Sequence, residues 1–96
     1  MTVREFQQLI ERIYYDKDSG RGLGGSFMWF VEEVGELSRG LRRDGHQELA
    51  GEFADVAAWL FTLASIAGVD MEEAVQAKYG GGCPKCRRAP CECPPR

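Results

Sequence analysis

Two short segments decide the fold of this 96-residue chain: Phe30-Val31-Glu32-Glu33-Val34-Gly35-Glu36-Leu37 and Glu52-Phe53-Ala54-Asp55. Each segment contains an acidic pair three residues apart, and each lies among apolar residues at helical spacing. Residues three apart share one face of a helix. Two such helices, packed antiparallel, would therefore point four carboxylates into one cleft.

Four carboxylates in one cleft repel each other unless cations neutralise them. Hard divalent ions with oxygen ligands, Mg²⁺ or Mn²⁺, suit such a cluster. The pattern favours a metal-dependent enzyme that acts on a phosphorylated substrate. The alternative is that the acids are solvated faces of amphipathic helices. Against it, Glu33 and Glu52 border apolar stripes, and Asp55 is the only charged residue between Phe53 and Gly68.

The apolar periodicity predicts an all-α antiparallel bundle of about four helices, since no β-strand pattern occurs. We place the helices at about residues 2–16, 26–42, 47–67 and 70–79. Thr2 with Glu5 predicts a capping box at the first start, and Ser26 predicts the cap of the second helix. Between them, residues 18–25 contain four glycines and predict a flexible connector.

The third helix should end at Gly68, a residue suited to the position that follows a helix. Asp70 with Glu73 predicts the cap of the fourth helix. Phe53, Leu60 and Leu63 belong to the main apolar stripe of the third helix, and Phe27 and Val34 belong to that of the second.

Net charge and the distribution of apolar residues argue against several classes of protein. The formal net charge of −3, with no dominant basic face, argues against a partner that is a nucleic-acid polymer. No uninterrupted apolar run reaches the ~20 residues that span a bilayer, and residues 1–5 lack the apolar core of a secretory signal. We therefore expect a cytoplasmic protein without a membrane partner. Because so short a chain buries little surface, oligomerisation is also expected.

At the two acidic segments the chain resembles the MazG-like nucleotide pyrophosphohydrolases of the all-α NTP pyrophosphatase superfamily. The EExxE pattern falls on Glu32-Glu33-Val34-Gly35-Glu36, and the ExxD pattern falls on Glu52-Phe53-Ala54-Asp55. The similarity extends over about residues 2–79. We therefore divide the chain into a MazG-like helical domain, residues 1–79, and a cysteine-rich tail, residues 80–96.

The resemblance implies cleavage of a (d)NTP to a (d)NMP and pyrophosphate by metal-activated water. It implies that the Mg²⁺ ligands are Glu33, Glu36, Glu52 and Asp55, with Glu32 as an accessory or water-orienting carboxylate. A carboxylate not fully used as a ligand, Glu32 or Glu36, would accept the proton of the attacking water. The resemblance further implies a homodimer or homotetramer with pockets at the interfaces.

Basic and aromatic side chains are expected to bind the substrate. Lys78 matches a lysine position of the family, and Arg21 and Lys17 are further candidates for the phosphates. Trp29 lies between Glu33 and Glu36 in angular position, so it could stack on a base. Packing into the bundle or a subunit interface is the alternative for Trp29 and for Trp59.

The tail carries all four cysteines within eleven residues, at Cys83, Cys86, Cys91 and Cys93. Without a secretion signal, a structural Zn²⁺ is favoured over disulfides. Four thiolates suit tetrahedral zinc and leave no open position for catalysis. The alternative is a disordered or disulfide-bearing tail.

Two rival functions stay open at this point. A phosphoribosyl-ATP pyrophosphohydrolase uses similar acids. A non-catalytic module would use its helices for oligomerisation and its zinc knuckle for binding a partner.

Overall fold

A computed structural model describes residues 1–43 and 48–95. It contains three α-helices: α1 (Val3–Arg42), α2 (Leu49–Ile66) and α3 (Met71–Tyr79). No strand occurs in these two ranges, which confirms the all-α prediction. Three helices are assigned where about four were predicted, because the first two predicted helices are joined in α1 across a kink at Gly22.

The predicted connector at residues 18–25 is almost entirely helical. Only Gly22 departs from helical geometry, with φ 78° and ψ 179°, a region that is essentially restricted to glycine. The break divides α1 into an N-terminal half, residues 3–21, and a C-terminal half, residues 23–42. Ser26 does not cap a helix, because it lies inside α1 with its side chain fully buried.

The predicted helix ends agree with the structure better than the predicted connector does. Thr2 and Glu5 form both hydrogen bonds of the predicted capping box. Gly68 follows α2 with a φ of 75°, as expected for a left-handed residue at that position. The predicted start of α2 at residue 47 lies outside the described residues. Asp70 caps α3 by accepting a hydrogen bond from the Glu73 N–H, at 3.0 Å.

Asp70 also accepts a hydrogen bond from Arg4, at 3.0 Å, which ties the start of α3 to the start of α1. This hydrogen bond is the main cause that lowers the pKa of the Asp70 carboxyl. Gln7 is buried and joins the same regions. Its amide nitrogen donates to the Val69 carbonyl oxygen at 2.8 Å, and its amide oxygen accepts from the Met71 N–H at 2.9 Å.

Both halves of α1 pack on α2. The N-terminal half contacts the last turns of α2 through the Phe6–Phe61 ring pair, whose centroids are 5.0 Å apart. The C-terminal half runs antiparallel to α2, with Trp29 beside Trp59 and Gly40 beside Glu52. This pairing brings the two acidic segments to facing helices.

The protomer buries few apolar side chains. Within the described residues, Ile10 is the only buried apolar residue, at 6% exposure. Large apolar side chains of both predicted stripes are exposed: Phe27, Val34, Leu41, Phe53 and Leu60. The radius of gyration is 15.8 Å, whereas a compact domain of this length has about 12–13 Å. The structure leaves these residues of the predicted apolar stripes in contact with solvent.

By length and composition, α2 is one helix that could cross a membrane, with a mean hydropathy of 1.4 over residues 49–66. A single helix of this kind is weak evidence for a membrane span, because helices that pack in protein interiors meet the same criteria. Glu52 and Asp55 both lie on it.

Candidate active site

A cavity of about 320 Å³ lies where both halves of α1 meet α2. Its walls combine acidic, basic and aromatic side chains. The lining residues are Tyr14, Lys17, Asp18, Arg21, Trp29, Glu33, Asp55, Ala58, Trp59 and Thr62. One carboxylate from each predicted acidic pair, Glu33 and Asp55, therefore faces the same space.

Glu33 is the centre of the acidic group. Partial burial raises the pKa of its carboxyl, and the neighbouring charges of Glu36, Asp55, Glu32 and Glu52, in that order, raise it further. Because a pKa responds to charges that lie close by, all five predicted carboxylates share one electrostatic neighbourhood. A cation bound there would reverse this repulsion.

Glu52 is partly buried, and one of its carboxylate oxygens has no hydrogen-bond partner among the described residues. Its Oε2 atom is buried, and no residue of the described ranges gives it a hydrogen bond. The carboxylate packs on Gly40 of α1, where an added Cβ would lie 2.8 Å from the Glu52 Cδ atom. A buried carboxylate oxygen without a donor is costly. A metal ion bound at this oxygen would remove that cost.

The acids surround a common region without converging on one point. Glu32, Glu36 and Asp55 are exposed, and the nearest Glu36 carboxylate oxygen lies 4.0 Å from Arg39 Nη2. In the described part of the chain, only the four cysteines form a group of three or more ligand atoms within 4.8 Å of one another. The shared divalent centre stays a prediction.

The two tryptophans form an aromatic wall of the cavity. Their rings stack nearly in parallel, with centroids 6.1 Å apart and an interplanar angle of 11°. Trp29 thus packs on Trp59, yet it keeps about half of its surface exposed. The outer face of the pair remains a surface on which a base can stack.

Arg21 crosses this aromatic wall, with its Cζ atom 4.9 Å from the centre of the Trp59 ring. Its Nη1 atom donates a hydrogen bond to Asp18 Oδ1 at 2.9 Å. Lys78 does not line the cavity. Its ammonium group lies 5.6 Å from the ring centre of Tyr79, its neighbour on α3.

Four cavity residues were not identified as site residues from the sequence: Ala58 and the polar residues Tyr14, Asp18 and Thr62. Asp18 and Thr62 are buried polar side chains, joined by a hydrogen bond of 3.3 Å. Asp18 was missed because residues 18–25 were assigned to a connector, so its helical spacing to Tyr14 was not considered. In a continuous helix, Tyr14, Asp18 and Arg21 fall at i, i+4 and i+7 on one face.

The tail brings its four cysteine sulfurs within 4.8 Å of one another. Cys83 Sγ lies 3.8 Å from Cys93 Sγ, and Cys86 Sγ lies 3.9 Å from Cys91 Sγ. A tetrahedral zinc site with Zn–S bonds of about 2.3 Å has sulfur–sulfur edges of about 3.8 Å. All four thiols are free, so the geometry fits a metal site.

Backbone N–H groups support this cluster. The Glu92 N–H donates to Cys86 Sγ at 3.4 Å, and it is the main cause that lowers the pKa of the Cys86 thiol to about 6. The N–H groups of Cys86 and Lys85 also lower the pKa of Cys83. Thiolates are the form that binds metal, so these contacts favour ligation.

The described helices bring five carboxylates into one electrostatic neighbourhood, and two of these carboxylates line a cavity with aromatic and basic walls. These are the features of a metal-dependent enzyme for a phosphorylated substrate. Comparison with known proteins gives its family. The sequence profile of the MazG nucleotide pyrophosphohydrolase domain matches residues 26–86. The chain belongs to this family, and it is a nucleotide pyrophosphohydrolase.

One relative is the dATP/dGTP diphosphohydrolase of Cyanophage S-2L. It is 38% identical over 77 residues, which cover 80% of this chain and 70% of the relative. The resemblance inferred from the two acidic segments, and the prediction of an enzyme, are therefore confirmed.

Proposed function

We propose that this enzyme hydrolyses a nucleoside triphosphate between its α and β phosphates. Water and the triphosphate give a nucleoside monophosphate, pyrophosphate and a proton. The observation that carries the proposal is the cavity itself, which holds carboxylates from both acidic pairs together with Arg21, Lys17 and two tryptophans. This combination matches a substrate with an anionic chain at one end and an aromatic base at the other.

The proposed metal ligands are Glu33, Glu36, Glu52 and Asp55. The unpartnered Oε2 atom of Glu52 and the mutual repulsion around Glu33 support this assignment, because both are relieved by a bound cation. Mg²⁺ or Mn²⁺, when bound, supplies an activated water and offsets charge on the leaving pyrophosphate.

The exposed carboxylates supply the base. Glu32 and Glu36 are open to solvent, so either can accept the proton that the attacking water loses. Arg21 and Lys17 are the two cationic side chains that line the cavity, and we assign them to the phosphates. Trp29 is assigned to the base. Lys78 does not line the cavity of its own protomer, so it would contact a substrate only if it reached the cavity of a second protomer.

A screen of pyrophosphate release tests this function. We expect release from dATP and dGTP, which the name of the cyanophage relative makes the first substrates to assay. The other (d)NTPs and phosphoribosyl-ATP complete the panel, each with Mg²⁺, with Mn²⁺ and with chelator. Activity should require the divalent ion. Absence of release from every compound with either ion would refute the proposal.

We further propose that protomers assemble through their exposed apolar surface. A groove of about 550 Å³ on this surface has an almost entirely apolar lining: Leu23, Gly24, Phe27, Leu60, Leu63, Ala64, Ala67 and Val69. Contiguous apolar surface of this kind marks a protein interface. A second copy of the chain would cover the stripes that the protomer leaves exposed, in a homodimer or a homotetramer.

Light scattering with size-exclusion chromatography tests the assembly. We expect a mass of two or four times the 10.7 kDa chain, and Leu60→Glu should weaken association by about 100-fold or more. Val75→Glu is the matched control, because Val75 is as exposed as Leu60, at 40%, but lies on α3 outside the groove. A wild-type monomer, or a Leu60→Glu protein of unchanged mass, would contradict the assembly.

We also propose that the tail, residues 80–96, is a separate unit held by one structural Zn²⁺ on Cys83, Cys86, Cys91 and Cys93. Two observations carry this assignment: the Cys83–Cys93 and Cys86–Cys91 sulfur–sulfur distances of 3.8 and 3.9 Å match edges of a tetrahedral site, and all four sulfurs lie within 4.8 Å of one another. A site closed by four sulfurs stabilises the tail and takes no part in the hydrolysis.

A further inference from the structure

We infer that Asp18 is a positioning residue, which holds Arg21 on the cavity wall so that its guanidinium is ready to bind a phosphate group of the substrate. The inference rests on the proposed function. It adds a role for a buried acid that lies outside the two acidic segments.

Arg21 is fixed by several contacts before any substrate arrives. Its Nη1 atom donates to Asp18 Oδ1 at 2.9 Å and to Ser26 Oγ at 3.4 Å. Its guanidinium lies over the Trp59 ring. The stem of the side chain passes over Gly25, where an added Cβ would lie 2.7 Å from Arg21 Cγ.

Asp18 is held in turn by a residue of α2. Its side chain is 13% exposed in its ion pair with Arg21, and its Oδ2 atom accepts a hydrogen bond from Thr62 Oγ1 at 3.3 Å. Thr62 and Ser26 are themselves buried. The network therefore joins both halves of α1 to α2, and it fixes the carboxylate on both of its oxygens.

The arginine keeps capacity for a ligand. The hydrogen bonds described above use Nη1 alone, and a guanidinium has further N–H groups on Nε and Nη2. These groups match the oxygens of a phosphate in a planar, two-point contact. Because Asp18 and Trp59 already restrict the side chain, less rotational freedom is lost when a phosphate binds.

The surrounding charges make this cation necessary. Asp18, Glu33 and Asp55 line the cavity with negative charge, and Lys17 and Arg21 are the cations there. A polyphosphate that enters meets repulsion from the acids unless cations face it. Bound Mg²⁺ would offset the charge of its own ligands Glu33 and Asp55, but an arginine that swings away would leave Lys17 as the only side-chain cation of the cavity wall facing the phosphates, so the position of its guanidinium should affect affinity.

Calorimetric binding of a non-hydrolysable α,β-methylene nucleoside triphosphate with Mg²⁺ tests the inference. We expect Asp18→Asn to raise the Kd about tenfold, an effect of about 1.4 kcal/mol. Arg21→Gln should raise it at least as much. Combining the two substitutions should add little to Arg21→Gln alone, because Asp18 acts through Arg21. Asp18→Glu should restore part of the affinity.

The turnover of the same proteins separates this role from a purely structural one. With a hydrolysable substrate, Asp18→Asn should raise KM and change kcat by less than about threefold. If Asp18→Asn does not fold, Thr62→Val replaces it and should raise the Kd by about two- to fivefold. A Kd within twofold of wild type in the folded variant, or multiplicative effects in the double variant, would overturn the inference.

Failure of the inference can be distinguished from failure of the proposed function. An active wild-type enzyme whose analogue affinity is insensitive to Asp18 overturns only the role of Asp18. A wild-type protein that neither turns over a nucleotide nor binds the analogue overturns both.

Discussion

Replacing Glu52 by glutamine is expected to reduce kcat/KM for pyrophosphate release by roughly 10²–10³-fold. The substitution keeps the shape of the side chain and removes its charge. The Oε2 atom of Glu52 is buried without a hydrogen bond from the described residues, so it contributes little to holding the fold. Its proposed contribution is to bind the divalent ion, and an amide is a poorer ligand for that ion.

The stability of Glu52→Gln should not fall as its activity does. In chelator, the free energy of unfolding of Glu52→Gln should equal or exceed that of the wild type, because the substitution neutralises a partly buried carboxylate whose Oε2 atom has no hydrogen-bond partner among the described residues. Added Mg²⁺ with a substrate analogue should raise the Tm of the wild type more than that of the variant.

Glu48→Gln is the matched control for this experiment. Glu48 lies one turn earlier on the chain, is exposed and makes no capping hydrogen bond with its side chain. It undergoes the same change of charge, and its activity should stay within about twofold of wild type. If Glu52→Gln retained full activity, Glu52 would not be a metal ligand.

A substitution on α1 can displace the Glu52 carboxylate of α2. An alanine at Gly40 would place a Cβ against the Glu52 carboxylate, so Gly40→Ala should also lower activity. Gly51→Ala is the control, since an added Cβ there meets no atom within 4 Å. Equal activities of the two alanine variants would show that the close contact at Gly40 is not needed to position Glu52.

The facing of the two acidic helices could be predicted from the sequence because the information is local. A spacing of three residues on a helix fixes a shared face, and the facing of α1 and α2 follows from one antiparallel pairing. Glu33 and Asp55 accordingly line one cavity. The distances between the carboxylates could not be predicted from the sequence, since they depend on rotamers that a bound ion would select.

The connector at residues 18–25 shows where local reasoning failed. Four glycines in six residues were taken to end a helix, yet only Gly22 has a backbone conformation that requires glycine. Gly25 instead provides room for the Arg21 side chain. Tertiary packing outweighed the low helix propensity of glycine, which is about 1 kcal/mol per residue.

The apolar stripes show a second limit. Their periodicity correctly predicted the helices, but it did not specify which surface covers them. Phe27, Phe53 and Leu60 lie on the predicted stripes and are exposed in the protomer. A sequence pattern gives the apolar face of a helix, but it does not say which surface, if the proposed assembly forms, would cover that face.

The second large effect is expected at the tail, where the purified protein should contain one Zn²⁺ per chain. Replacing Cys83 and Cys86 together by serine should reduce the zinc content to below about a tenth of an ion per chain. The physical reason is that a structural zinc with two of its four thiolates removed loses most of a binding free energy of about 10–16 kcal/mol. Metal analysis by mass spectrometry measures the content directly.

Limited trypsin digestion reports what the zinc does for the tail. Lys85, Arg87 and Arg88 all lie between Cys83 and Cys91, so they are cleavage sites inside the proposed metal loop. With zinc bound, the loop should resist cleavage. The double serine variant, and the wild type in chelator, should be cut at these sites at least about tenfold faster, because the tail has lost the cross-link that orders it.

Pro84→Ala is the control variant for both measurements, because it changes the same loop without removing a sulfur. It should retain zinc and resist trypsin. Pyrophosphate release by the double serine variant should stay close to that of the wild type, since the cysteine site lies on the tail and supplies no open metal position. Purified wild-type protein with four reduced cysteines and no zinc, or with two disulfides, would contradict the zinc site, whereas a large loss of hydrolysis in the double variant would contradict the separation of the tail from the active site.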